Sequence, residues 1–93
     1  MIKSFKDKGT EKVFSRILSR KLPQSIQQTA YRKLRMINNS IDLEDLRLPP
    51  ANRLEKLKGD QSEQFSIRVN IQWRIYFEWL DGAAYSVEIA DYH

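Results

Sequence analysis

The chain has 93 residues, 41% hydrophobic and 30% charged, with three Gly, three Pro, no Cys and a formal net charge of +4. That length accommodates one small domain around a single core, and the composition is too apolar for a disordered segment. The lack of Cys excludes a disulfide framework and a thiolate zinc site; with no membrane-length apolar run and no secretory stretch after Met1, a cytoplasmic protein is expected.

Ile2 to Phe5 alternates and predicts a short edge strand. Thr10 is the expected N-cap, with Glu11 in the first turn, of a helix running to about Ser19. Val13, Phe14, Ile17 and Leu18 would form its buried stripe. A second helix is predicted from Pro23, a residue well tolerated at a helix start. Ile26, Ala30, Leu34 and Ile37 recur on one face, and Asn38-Asn39-Ser40 stops it. Arg20-Lys21-Leu22 would join the two into an antiparallel helical hairpin, and Asp42 would cap one further turn before Pro49-Pro50.

From Arg53 onward the period becomes that of strands. Phe65, Ile67 and Val69 alternate with Ser66, Arg68 and Asn70, and Trp73, Ile75, Phe77 and Trp79 alternate with Arg74, Tyr76 and Glu78. Asp81-Gly82 is a hairpin signal, Gly59-Asp60 marks another turn, and Tyr85, Val87 and Ile89 are expected to face inward on the next strand. The expected fold class is α+β: one domain over residues 1–93, its N-terminal helical hairpin packed on one face of an antiparallel sheet of about four strands. Trp73 and Trp79 share the inward parity and are assigned to the core.

The charge is unevenly distributed. Residues 1–35 hold ten Lys and Arg against Asp7 and Glu11, a net of +8, whereas residues 36–93 hold six against ten. A basic helical surface including Arg16, Arg20, Lys21, Arg32, Lys33 and Arg35 suits a polyanion such as RNA, although a solvated helix face carries the same residue types.

Alternation turns Arg68, Arg74, Tyr76 and Glu78 to the sheet face that the helices leave open. Lys58 at a strand end, and Asp91, Tyr92 and His93 just past the last strand, are placed to converge there. A ribonuclease working without a metal needs a base for the 2′-hydroxyl, cations for the phosphorane-like transition state and an acid for the leaving 5′-oxygen. His93, whose imidazole type titrates near neutrality, and Lys58, Arg68 and Arg74 supply that complement. No His-carboxylate spacing of a metal site, no Gly-rich phosphate loop and no nucleophile motif occurs, so no cofactor and no metal is expected. Each candidate also has an ordinary role: a solvated terminal His, a turn lysine, cross-strand ion pairs, and a tyrosine that packs rather than stacks.

Taken together, Met1-Ile2-Lys3-Ser4-Phe5-Lys6, Leu57-Lys58-Gly59-Asp60, Trp73-Arg74-Ile75 with Phe77-Glu78, and the closing Asp91-Tyr92-His93 resemble the HigB branch of the RelE superfamily of toxins. The likeness runs end to end and is strongest in the sheet half. It implies an enzyme that enters the ribosomal A site and cleaves messenger RNA there by acid-base chemistry without metal. It also implies a helix-turn-helix antitoxin of the HigA type as partner. By matching position, Lys58 and Arg74 would bind the scissile phosphate, His93 would donate or accept a proton, Tyr92 would position the nucleotide, and Asp91 would orient its neighbours.

One departure stands out. Family members commonly carry His-Pro before the Leu-Lys-Gly motif, whereas here the segment reads Glu55-Lys56. Either Glu55 acts as the base, or it is inert and Asp91 takes that task. Lys56 and Arg68 are further candidates for RNA contact. The competing expectation is a non-catalytic basic RNA-binding or regulatory protein on the same fold; an antitoxin-like DNA binder fits less well, for lack of a recognition-helix signature.

Overall fold

The computed structural model describes residues 1–57 and 63–91. Three helices precede the sheet: α1 (Lys8–Phe14), α2 (Gln24–Asn39) and α3 (Glu44–Arg47), followed by a 3₁₀ turn at Pro50–Asn52. Four strands follow, β1 (Glu55–Lys56), β2 (Gln64–Arg68), β3 (Trp73–Leu80) and β4 (Ala83–Asp91), antiparallel throughout and ordered as in the sequence. This is the expected α+β arrangement of helices before an antiparallel sheet.

The expected stripe of α2 is fully realised: Ile26, Ala30, Leu34 and Ile37 are buried and meet Phe65, Ile67, Ile75, Phe77, Val87 and Ile89 from the sheet. Burial of each large apolar side chain contributes about 1.5–3 kcal/mol, so this interface is the main source of cohesion. Trp73 and Trp79 are half-buried at the core margin rather than within it.

Helix α1 differs from expectation at both ends. Asp7, not Thr10, is the N-cap, its Oδ1 accepting from the Thr10 backbone N–H at 2.6 Å. The Thr10 hydroxyl is buried and accepts instead from the N–H of Ile89 at 2.9 Å, joining α1 to β4. The helix stops at Phe14 because Arg16 adopts the left-handed conformation (φ 63°). Ile17 N–H then reaches the Lys12 carbonyl and Arg16 N–H the Val13 carbonyl, a Schellman ending. Ile17 and Leu18 are therefore exposed rather than part of a buried stripe. The Gln27 amide holds the connection to α2 by accepting from Ser19 N–H and donating to the Ser19 and Leu22 carbonyls.

In the β3–β4 hairpin Asp81 and Gly82 both have positive φ, the two-residue turn that matches strand twist. Further along β4 the register slips between Tyr76 and Glu78, where Ser86 sits at φ 53°. That bulge reverses the parity of what precedes it. Tyr85 pairs with Glu78 on the open face, contrary to the inward position expected, while Ala84 pairs with Trp79 and is buried. Ser4 accepts from Ser86 N–H, and Ile2 and Phe5 make two isolated parallel bridges to Ala84 and Val87 in place of a regular edge strand. Among the described residues, no helix is long and apolar enough to cross a membrane.

Candidate active site

The open face of the sheet carries Arg74 near the start of β3. Arg74 pairs in register with Arg68 on β2 and Ala90 on β4, and it is only 6% exposed. A guanidinium so buried needs its donors met. Its Nε donates to the Ser66 hydroxyl at 2.9 Å and its Nη2 to the Arg53 carbonyl at 2.8 Å, with a longer contact to the Ser66 carbonyl. The Glu55 carboxylate stands 3.6 Å from Nη2, half exposed to solvent. Glu55 lies opposite Ser66, so β1 supplies an acceptor and β3 a cation to one small pocket of about 190 Å³, which Arg53, Arg68, Asn70 and Ile71 also line.

The cradle depends on an unusual backbone. Asn52 is fully buried, its amide donating to the Leu46 carbonyl while its Oδ1 accepts from Lys33 Nζ at 2.6 Å. Arg53, next in the chain, is left-handed (φ 44°), and its carbonyl is the one that meets Arg74. Non-Gly residues hold this conformation only where surrounding contacts fix it. Burial foremost, and then the adjacent Arg32 charge, lower the pKa of the Lys33 ammonium from its ordinary value of 10.5.

The other sequence candidates are placed as follows. Arg68 shares the open face with Arg74. Lys56 has the opposite parity to Glu55 in β1, is exposed and pairs with Glu63 at 3.8 Å. Asp91 is not beyond the last strand but its final residue, paired with Trp73 and so out of step with Arg74; its Oδ2 accepts from Gln72 Nε2 at 3.0 Å. Arg16 stacks over the Tyr31 ring at 4.6 Å; it, Arg20, Lys21, Arg32 and Arg35 are exposed on the helical half, away from the Glu55–Arg74 pair in the sequence of elements. Lys58, Tyr92 and His93 lie outside the described residues.

Ser66, Asn52 and Arg53 were not among the sequence candidates. Ser66 was legible as an open-face position by alternation, and only its cross-strand relation to Arg74 reveals its role. Nothing in the sequence signals the left-handed Arg53.

A buried, hydrogen-bonded guanidinium beside a solvent-accessible carboxylate can bind a phosphodiester and take a proton from a group next to it. Over residues 3–93 the chain matches the family described as the RelE-like toxin of the type II toxin-antitoxin system HigB. The chain belongs to the HigB family of RelE-like toxins. It is 41% identical over 85 residues to Toxin HigB-1 of Vibrio cholerae, which covers 90% of each chain. It is 33% identical over 93 residues to Endoribonuclease HigB of Proteus vulgaris, covering both chains completely. An uncharacterized protein of Haemophilus influenzae shares 42% identity over 59 residues, 63% of this chain and 58% of that one. Membership in a type II toxin-antitoxin family entails a cognate antitoxin as binding partner.

Proposed function

We propose that this toxin is a ribosome-dependent endoribonuclease that cuts messenger RNA in the ribosomal A site by metal-independent acid-base chemistry. The observation that carries this is the Glu55–Arg74 pair on the open face, a proton acceptor and a phosphate-binding cation held within one pocket. The relative named Endoribonuclease HigB supports the reaction class.

Glu55 is the base in this account, taking the proton of the 2′-hydroxyl as that oxygen attacks the adjacent phosphorus. Its position beside Arg74 favours it over Asp91, which is on the other strand parity and engaged by Gln72. Arg74, with Lys58, neutralises the charge that builds on the phosphoryl oxygens. His93 protonates the departing 5′-oxygen, leaving a 2′,3′-cyclic phosphate on one product and a 5′-hydroxyl on the other. Tyr92 stacks on the nucleotide and Asp91 orients its neighbours, as the family resemblance implies. The ribosome supplies the alignment that a small open site cannot, so cleavage of free RNA is weak.

The basic surface of Arg16, Arg20, Lys21, Arg32 and Arg35 serves ribosomal RNA, with Lys56 as a lesser contact; the antitoxin is a helix-turn-helix protein of the HigA type, and the toxin acts in the cytoplasm. Expression of the intact protein and of His93→Ala in a bacterium tests the function: the intact form should arrest growth and leave cuts inside translated messages, and the variant should do neither. Equal behaviour of the two would contradict catalysis.

A further inference from the structure

Beyond the Glu55–Arg74 pocket the same wall continues into a wider groove of about 590 Å³. Thr29 and Lys33 of α2 form one side of it and Arg53, Arg68 and Asn70 the other. Arg53, Arg68 and Asn70 line both spaces, so the pocket and the groove are contiguous. Lys33, Arg53 and Arg68 are all cations, and among the described residues no carboxylate lines the groove.

We propose that Lys33, Arg53 and Arg68 form a second phosphate subsite, which holds a phosphodiester of the same RNA strand neighbouring the one bound at Arg74. This rests on the RNA-cleaving function proposed above and deepens it.

Three observations support the assignment. Lys33 is not a loose surface lysine, because the fully buried Asn52 fixes its Nζ at 2.6 Å and is itself anchored on the Leu46 carbonyl. Arg53 is held left-handed at the junction between pocket and groove, its carbonyl committed to Arg74 and its side chain on both linings. Arg68 stands directly opposite Arg74 in the sheet, where the two like charges repel and the single half-exposed Glu55 carboxylate beside Arg74 offsets only one of them, so a further anion beside Arg68 is favourable. A cation placed among other cations and partly withdrawn from water, as Lys33 is, is the arrangement that an incoming anion relieves. Because the pocket and the groove share Arg53, Arg68 and Asn70, one continuous strand can occupy both.

The test uses the full-length protein and non-cleavable 2′-O-methyl RNA followed by fluorescence anisotropy, so that binding is read without cleavage. A dinucleotide, with one phosphodiester, is compared with a hexanucleotide across a salt series. The parent should bind the hexanucleotide more tightly than the dinucleotide by about tenfold or more. Lys33→Gln, which lies outside the Arg74 pocket, should erase most of that gain and lower the hexanucleotide salt slope by about 0.7, one single-strand phosphate contact, with dinucleotide binding unchanged; Arg53→Asn and Arg68→Gln, which line both spaces, should weaken hexanucleotide binding several-fold more than dinucleotide binding. Asn is chosen at position 53 because it tolerates the left-handed backbone; Arg68→Gln needs no such backbone and keeps the test valid should that variant fold poorly.

Arg47→Gln, an exposed cation paired with Glu44, should match the parent. Loss of affinity equally for both oligomers, or no loss for any variant, would overturn the subsite. A gain with length that survives all three substitutions would also overturn it. If the parent shows the length-dependent gain but cuts no message in translating cells, the subsite stands and the endoribonuclease assignment fails.

Discussion

Nη2 of Arg74 donates to the Arg53 carbonyl at 2.8 Å and lies 3.6 Å from Oε1 of Glu55, so a single nitrogen is shared by the element that fixes the cation and the carboxylate beside it. Glu55→Gln keeps the size and removes the proton acceptor. Single-turnover cleavage on programmed ribosomes should fall by about 10²–10⁴-fold, while RNA binding holds or tightens because Arg74 loses a competing anion. Glu55→His, the residue family members commonly carry there, should retain activity within about tenfold. An undiminished rate for Glu55→Gln would transfer the base to another residue.

Ser66 is fully buried, and its hydroxyl meets Arg74 Nε. Ser66→Ala removes a buried acceptor from the guanidinium Nε, at a cost of about 1–3 kcal/mol in urea unfolding. It should also raise KM more than it lowers kcat, since the guanidinium keeps its charge but loses its aim. Arg74→Lys, which lacks the planar fork, should not restore the parent KM. Full stability and KM in Ser66→Ala would show that the cradle is dispensable.

The β4 edge depends on Thr10. Its hydroxyl accepts from Ile89 N–H inside the core, so the near-isosteric Thr10→Val should destabilise the fold by about 1–3 kcal/mol through an orphaned backbone donor. Thr10→Ser, which keeps the acceptor, should recover most of the loss. A neutral Thr10→Val would mean that another acceptor replaces the hydroxyl.

Lys33 has a pKa below its ordinary 10.5, so the unfolded chain binds more protons than the folded one just under that value. Stability contributed at this site therefore rises with pH through that window, and the unfavourable contribution is present in full below the folded-state pKa. The difference in unfolding free energy between parent and Lys33→Gln should move in the parent's favour as pH rises towards 10.5. Parallel curves would contradict it.

The helix-on-sheet fold was readable because periodicity changes once, near Arg53, and because the stripe Ile26, Ala30, Leu34 and Ile37 is uninterrupted. Alternation likewise put Arg68 and Arg74 on one face. Pattern failed where a single backbone conformation overrode it. Arg16 ends α1 one turn before the apolar spacing does, and Ser86 reverses Tyr85, each a non-Gly residue in a conformation that composition does not announce. The Arg74 cradle was illegible for the same reason, since it turns on Arg53. Thr10 looked like a cap because Thr commonly is one, yet Asp7 three residues earlier had the same capacity and the right backbone.

The most direct test of the central claim replaces one substrate oxygen. Ribosomes programmed with a message bearing a 2′-O-methyl group at the A-site nucleotide 5′ of the cut are compared with unmodified ones. The unmodified message should be cut to a 2′,3′-cyclic phosphate, and the methylated one should stay intact at that bond. Cleavage of the methylated bond would contradict the account.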